Sequence, residues 1–534
     1  GLLASGPILA HAVPFGTMRV TMQPVTYIDS RGLDTSRPAF SEVVVRGIAP
    51  GGGLYVPTAL PALTLPDILQ LAEWPYWQRA AWVFERFGVD VPAERIAALM
   101  QTAYGSQWDD ERIAPVVEVV ADTHVLELWH GPTSAFKDMA LQCMPLFFSE
   151  AVDRMQASGE LADDYLVLVA TSGDTGKAAL EGFADREHTG IVVFYPAGGV
   201  SDIQRLQMVT QRGENVGVFG VRGNFDDCQN AVKAAFNDES FNAELHQTRR
   251  LKLSSANSIN WGRLLPQIAY YVSAYADMVA EGGVKPGSPM DVCVPTGNFG
   301  NILGAYYARR MGVPIGRLLC AANENNVLAD FIATGTYDIS DRAFVTTPSP
   351  SMDILISSNL ERLLYELAGA EAVRGWMVEL AENRRFTVDR ETFAKVRELM
   401  TADWVTNDES LTTIKRVYDE HGYLMDPHTA VAWEVAERLR GEDPVLVVST
   451  AHWAKFGADV YRALTRTAYA ADLPAEAAAC TGLQLLERVH ELAPGAGPVP
   501  TPLAEIATLP ERFSDVVDAG RDGIEGAVQK WLAR

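Results

Sequence analysis

The sequence predicts an α/β protein in which parallel sheets are layered with helices. Three observations predict it. Between about residues 115 and 320, short β-rich runs alternate with helical stretches, at 125–129, 165–170, 191–195, 216–221 and 292–295. Each run is bounded by Gly, Asp, Ser or Thr, and most lead directly into helical periodicity. A further apolar run, 445–449, returns much later as another buried-strand candidate.

The 534 residues are 48% hydrophobic and 21% charged, enough to bury a large core divided among several domains. The 44 basic and 68 acidic residues give a formal charge of −24. General nucleic-acid binding and a polybasic membrane anchor both need clustered Lys and Arg, so neither class is expected. An anionic small-molecule substrate needs only local donors and stays open. Cys143, Cys228, Cys293, Cys320 and Cys480 are scattered, with no C-x-x-C pair, which argues against a disulfide framework and for a reducing cytoplasm. No apolar run approaches the roughly 20 residues of a membrane span.

Taken in order, residues 1–17 are mildly apolar and carry no Lys or Arg, so they fit neither a secretory signal nor a transit peptide. They are expected to be a cloning or start-site extension ahead of Met18. Residues 18–110 suggest a small mixed subdomain: strands near 19–27 and 43–45, a turn at Gly51-Gly52-Gly53, then helical spacing over 80–87 and 94–100. Residues 111–225 are assigned to a smaller α/β domain and 226–470 to a larger one with a helical insertion. Residues 471–534 form a helical tail with a Pro-rich joint near 494–502.

Five motifs could carry chemistry. In His130-Gly131-Pro132-Thr133-Ser134-Ala135-Phe136-Lys137-Asp138 a strand ends, the chain turns, and a helix starts with Lys137 near its N-terminus. An ammonium is disfavoured at that end of the helix dipole, and desolvation would lower its pKa further, as a Schiff-base lysine requires. The alternatives are a surface lysine after a turn and, through Ser134-x-x-Lys137, a serine hydrolase; the partner motifs S-D-N and K-T-G of the latter are absent. Thr171-Ser172-Gly173-Asp174-Thr175-Gly176-Lys177 fails the P-loop pattern at its first Gly and after its Lys. It remains a strand–turn–helix able to hold a carboxylate, or a simple capping turn. Pro295-Thr296-Gly297-Asn298-Phe299-Gly300-Asn301 has two glycines at a helix start, a phosphate cradle in physical terms, or a tight structural turn. Ser254 to Arg263 clusters hydroxyls, amides and one guanidinium, as an anion site or a polar capping loop. Ser449-Thr450-Ala451-His452 puts hydroxyls at a strand end, where open α/β sheets face ligands. The nine histidines show no metal-binding spacing, and His130, His428 and His452 read most simply as hydrogen-bonded structural residues.

With these motifs in order, and lesser ones at Tyr27 to Gly32, Gly53 to Pro57, Met352-Asp353, Ser357 to Arg362 and Asp426 to Ala430, the chain from about 25 to 460 resembles the threonine synthases, in their longer bacterial and fungal branch. The resemblance implies a fold-type II (tryptophan-synthase-β-like) architecture with pyridoxal 5'-phosphate between two α/β domains. It implies that Lys137 carries the cofactor as a Schiff base, that Gly297, Asn298, Phe299, Gly300 and Asn301 cradle its phosphate, and that Thr450 meets the ring nitrogen. A neutral hydroxyl there would make the ring a milder electron sink. Asp174 would lie near the ring hydroxyl, while Thr133 and Ser172, Gly173, Asp174, Thr175 and Gly176 would hold the substrate carboxylate. Asn257, Ser258, Asn260 and Arg263 are the candidates for the substrate phosphate, with Lys177 as an outside possibility.

The implied reaction is O-phospho-L-homoserine plus water to L-threonine plus phosphate, catalysed by a cytoplasmic monomer or homodimer without metal. The rival readings are another phospho-lyase on this fold and a non-catalytic cofactor-binding relative. Trp453, where the family often has Pro, and Lys177, where small residues are usual, depart from its pattern.

Overall fold

The computed structural model describes residues 24–534. The expectations for 1–17 and for a strand starting at 19 lie outside that span. The β-branched runs form fifteen strands among the described residues. They are β1 (Tyr27–Asp29), β2 (Tyr55–Pro57), β3 (Val116–Val120), β4 (Thr123–Glu127), β5 (Asp164–Ala170), β6 (Thr189–Pro196), β7 (Val216–Arg222), β8 (Leu251–Ser254), β9 (Met290–Pro295), β10 (Ile315–Ala322), β11 (Thr336–Asp338), β12 (Arg385–Thr387), β13 (Met400–Trp404), β14 (Val445–Ser449) and β15 (Val516–Asp518).

Two main sheets result. One has six strands in the order β13-β10-β9-β14-β4-β3, the other five in the order β15-β7-β6-β5-β8. Only the β3–β4 pair is antiparallel in these two sheets. Strands β6 and β9 are buried at every position, because helices cover both faces of a parallel sheet. The helix Trp261–Ala280 packs against the helices Gly300–Met311 and Lys137–Leu141, and nearly all of its residues are buried. It forms the spine between the sheets and the N-terminal subdomain.

The observed sheets cross the expected domain limits. β3 and β4, placed by the sequence in the smaller domain, belong to the six-stranded sheet. β8, assigned to the larger domain, and β15, in the expected helical tail, both complete the five-stranded sheet. Strand pairing joins residues far apart in sequence, so a linear cut cannot capture it. Residues 43–45 are not a strand either. They lie in the helix Phe40–Arg46, whose Phe40, Val43 and Val44 face the core and which ends at Gly47 with φ 74°. The 43–45 triplet is β-branched, but burial at positions three and four apart decided for a helix.

This topology assembles the site. β9, β14 and β4 are parallel neighbours, so their C-terminal ends place the 297–301 loop, Thr450 and the Lys137 loop side by side. β5 and β8 are also parallel neighbours, and they deliver the 172–176 and 255–260 loops. The crevice between the two sheets is where ligands bind in open α/β folds.

Candidate active site

Lys137 opens the helix Lys137–Leu141 and is only 8% exposed. Its loop is pinned to the β14 strand end by Phe136 N–H to Thr450 O (2.7 Å), His452 N–H to Ser134 O (3.0 Å) and an Ala135–Ala451 bridge. Ser134 sits at φ 60°, and Gly131 passes so close to Asp138 that a Cβ would lie 2.6 Å from it. Asp138 accepts the backbone N–H and the hydroxyl of Thr133 at 2.8 and 2.6 Å. Burial still lifts Asp138 to about 6. The Lys137 amine has no hydrogen-bond or ion-pair partner among the described residues. Burial, reinforced by Arg263 and Lys455 against the opposing pull of Asp174, lowers it to about 7. An unpaired lysine that is substantially neutral near pH 7 is a nucleophile and a base in waiting.

The loop after β9 has its polar groups free. Among the described residues no acceptor meets the backbone N–H groups of Gly297, Asn298, Phe299, Gly300, Asn301 or Ile302. Phe299 at φ 68° turns the chain into the helix Gly300–Met311, so these donors converge at a helix N-terminus. Asn301 Oδ1 accepts from Tyr270 and Tyr271, while its buried Nδ2 has no partner. The loop is held from behind by Ser357 Oγ to Gly297 O (2.7 Å) and Asn359 N–H to Asn298 O (3.0 Å). At Gly297 a Cβ would sit 2.9 Å from Ser351 O and 3.0 Å from Met352 Cα. Both are backbone atoms. Gly297→Ala should therefore cost about 1–3 kcal/mol in a thermal melt and weaken pyridoxal phosphate at least about tenfold in an absorbance titration.

Thr450 is buried, and its hydroxyl makes no hydrogen bond among the described residues. Its neighbours on either side are committed: Ser449 Oγ accepts from Trp129 Nε1, and His452 Nδ1 accepts from Ala454 N–H. Burial pushes His452 down to about 3, so it is a neutral structural ring. His130 is structural too, held between Asp109 (2.5 Å) and Glu127 (2.8 Å). Burial opposes its charge, but those two carboxylates outweigh burial and raise it to about 9. A raised histidine gives stability that is fully present below about 6.5 and is lost as pH rises through 9. His130→Gln should accordingly destabilise by up to about 3 kcal/mol at pH 6, with the gap closing by pH 10 in urea melts.

From the other sheet, Thr171 Oγ1 accepts Gly173 and Gly176 N–H, folding the 172–176 turn. The Ser172 and Thr175 side chains are partly exposed, with no side-chain hydrogen bond among the described residues. Asp174 is 4% exposed, 2.8 Å from Lys455 Nζ and 3.0 Å from Gln204 Nε2. Burial alone would raise it, but Lys455 overrides this and holds it at about 2. Arg263 is 2% exposed, donates Nη1 to Ala256 O, and leaves a buried Nε unpartnered. Burial lowers its guanidinium to about 10, so it keeps its charge at neutral pH.

The structure thus brings Lys137, Asp174, Arg263, Thr450 and the 297–301 cradle into one crevice. It redirects three candidates. Asn260 spends its side chain on Val44 O and on capping Gly262 N–H, so it is a helix cap rather than an anion donor. Lys177 is committed to Glu181 and Gln211, which argues against it as a phosphate ligand. Thr133 gives its hydroxyl to Asp138 and its carbonyl to Lys455, a supporting role for the lysine loop. Asn257 is exposed, bonded to Ser258 Oγ at 3.4 Å.

Three residues that sequence reasoning passed over are prominent here. Lys455 is fully buried beside Asp174. Ser351 reaches Asp174 from the other wall at 3.4 Å. Arg362, buried, ties together Tyr55 O, Asn359 Oδ1 and Ile259 O, and so links the N-terminal subdomain to both anion loops. The available signal for Arg362 was its place at the end of the Ser357 to Arg362 motif, and for Lys455 its position three residues after the Ser449 to His452 motif.

The residues fit a phosphorylated pyridine aldehyde: a free amine, a row of unpaired N–H donors at a helix start, and an unengaged hydroxyl at the strand end. Family models match in the same order. The threonine synthase N terminus covers residues 26–104, the pyridoxal-phosphate dependent enzyme model 121–451 and the threonine synthase C-terminal model 429–528. The threonine synthase of Saccharomyces cerevisiae is 36% identical over 474 residues, covering 82% of this chain and 89% of that protein. This chain belongs to the threonine synthase family. The crystal structure of pyridoxal-phosphate-bound threonine synthase from Brucella melitensis superposes with a TM-score of 0.81 at 35% identity, covering 95% of this chain and 99% of that one. The human protein named threonine synthase-like 1 is 44% identical over 436 residues, which is 80% of this chain and 58% of that protein. The chain thus spans little more than half the length of such relatives. Pyridoxal phosphate is the cofactor of this threonine synthase family member, and the fold is the expected two-sheet type. No described helix is long and apolar enough to cross a membrane, and no described cluster of His, Cys, Asp or Glu is arranged for a metal.

Proposed function

We propose that this protein is a threonine synthase, converting O-phospho-L-homoserine and water to L-threonine and phosphate. The observation that carries the reading is the unpaired Lys137, its amine lowered to about 7, set between two separate anion sites. One is the 297–302 N–H row, suited to the cofactor phosphate. The other is Arg263 with Ser258 and Asn257, suited to the substrate phosphate. A substrate bearing one phosphate and one carboxylate needs this second site in addition to the 172–176 turn.

When bound, the cofactor supplies an electron sink for charge developing at the substrate's α-carbon. The chain's residues do the rest. Lys137 is the attachment point, and once displaced its amine is placed to take the Cα proton and carry protons between Cβ and Cγ. Thr450 would offer a neutral hydroxyl to the ring nitrogen of the bound cofactor. Arg263 and the 172–176 turn fix the two ends of the substrate, which aligns the Cγ–oxygen bond to be broken. Five thiols without disulfides fit a cytoplasmic protein.

The test is direct. Protein loaded with pyridoxal phosphate is given O-phosphohomoserine, and phosphate and threonine are measured together. Equal amounts of both support the reading. Phosphate without threonine overturns the threonine synthase reading in favour of a phospho-lyase acting in the same cleft. Neither product, with the cofactor bound, refutes turnover of this substrate.

A further inference from the structure

Lys455 is a charged group in contact with both walls of the crevice that none of the expected roles employs. It lies in the turn Trp453–Phe456 just beyond Thr450, on the six-stranded-sheet side, and is fully buried. Its ammonium is 2.8 Å from Asp174 Oδ1, which opens the helix after β5 of the five-stranded sheet. It also donates to Thr133 O at 2.9 Å, in the loop that presents Lys137. The same carbonyl receives Gln207 Nε2 at 3.3 Å, and Gln204, on the same helix Asp202–Val209, donates to Asp174. Its own backbone carbonyl accepts Ser201 Oγ at 3.5 Å. One ammonium therefore joins three loops from two sheets.

Stability alone does not explain this arrangement. A buried ion pair is often no better than an apolar pair of the same volume, because both partners lose their hydration. Its value lies in what happens when one partner is missing: the other charge is left buried and uncompensated. The charges facing Lys137 are Arg263, Lys455 and Asp174. Asp174 faces Lys455, Lys137 and His428, and Lys455 also acts on Asp138. With Lys455 present the crevice has a positive excess for an anionic ligand and still keeps Asp174 as a carboxylate. Without it the excess is gone.

We propose that Lys455 is a positioning residue: it holds Asp174 ionised across the cleft and locks the Lys137 loop to the 172–176 turn. This deepens the reading of the cleft as the threonine synthase site and rests on it. Asp174 and Lys137 touch the ligands, and Lys455 acts through them.

The test is a pH series of thermal melts on protein without cofactor, read as Tm differences from the parent. In Lys455→Met the carboxylate of Asp174 loses its counter-ion and its pKa rises above that of the unfolded chain. The folded state then holds the extra proton, so stability falls as pH rises from about 4 to 7, by about 1–2 °C per pH unit. In Asp174→Asn the buried Lys455 ammonium keeps the Thr133 carbonyl but has lost its counter-ion. That variant gains stability as pH rises from about 6 to 9, the opposite slope. Lys455→Met with Asp174→Asn keeps less than half of the first slope, the remainder belonging to Asp138. The loaded Lys455→Met enzyme should still bind pyridoxal phosphate, with kcat reduced at least about tenfold and KM changed less. Single variants offset from the parent by the same Tm at every pH would overturn the proposal, because a packing role gives no slope. Unchanged kcat in the loaded variant would overturn it as well. The melts require no substrate, so they separate a positioning from a packing role for Lys455 even in a protein that makes no threonine.

Discussion

Lys137→Met abolishes turnover and, in the absence of cofactor, makes the protein more stable. The two effects have one cause. The native amine is buried and unpaired, with its pKa lowered to about 7 chiefly by burial. A lysine whose folded pKa lies below its unfolded value of about 10.4 binds fewer protons folded than unfolded. The resulting penalty grows as pH falls from about 10 to 7 and is fully present below 7. Removing the amine lifts a burden of about 3–5 kcal/mol at pH 6, and the gain should fade by pH 10. Phosphate release should meanwhile drop by about 10⁴-fold or more, since the proposed mechanism routes attachment and proton transfer through this nitrogen. Thermal melts at pH 6 and 10, with a phosphate assay, check both halves. A variant less stable than the parent at pH 6 would mean that the amine has a partner and is not held in reserve.

The second large effect is at Arg263. Its guanidinium is buried with Nε unpartnered and only Nη1 committed, to Ala256 O. A charge-assisted bond to an incoming phosphate is worth about 2–3 kcal/mol, so Arg263→Met should raise KM for O-phosphohomoserine about 30–150-fold. Pyridoxal phosphate should bind nearly as before, because the proposed assignment gives its phosphate to the 297–302 N–H groups rather than to Arg263. Stability should hold or rise, since a buried cation without a carboxylate partner is replaced by an apolar side chain of similar length. If Arg263→Met instead weakened the cofactor and left KM alone, the two anion sites would have to be exchanged. A lysine at this position restores charge but not the planar fork, so Arg263→Lys should recover only part of the loss.

The cleft also shows why small departures from the family pattern need not disturb the chemistry. Trp453 follows His452 on the turn that carries Lys455, and it packs against His452 and His490 rather than toward the lysine. Lys177 is neutralised by Glu181 on its own helix.

By itself the sequence determined the chemistry-bearing loops. Each is a short strand running into a Gly-, Ser- or Thr-rich turn and a helix, and the donors such a turn frees are a local consequence of backbone geometry. Lys137 at a helix start, the glycines of 297–300 and Thr450 at a strand end were legible for that reason, as was the parallel α/β class. The tertiary structure decided what lies beside what. Strand order made β9, β14 and β4 neighbours and so set cradle, hydroxyl and lysine in one row. It sent β15 from the C-terminal segment to the edge of the five-stranded sheet. It engaged Asn260 and Lys177 with neighbouring protein groups and drew in Lys455, Ser351 and Arg362. Contacts between residues hundreds of positions apart depend on how whole sheets pack, and no local pattern of residues records that. The same packing removes water from Lys137, and it is this desolvation, not the lysine's place in the sequence, that gives its amine a pKa near neutrality.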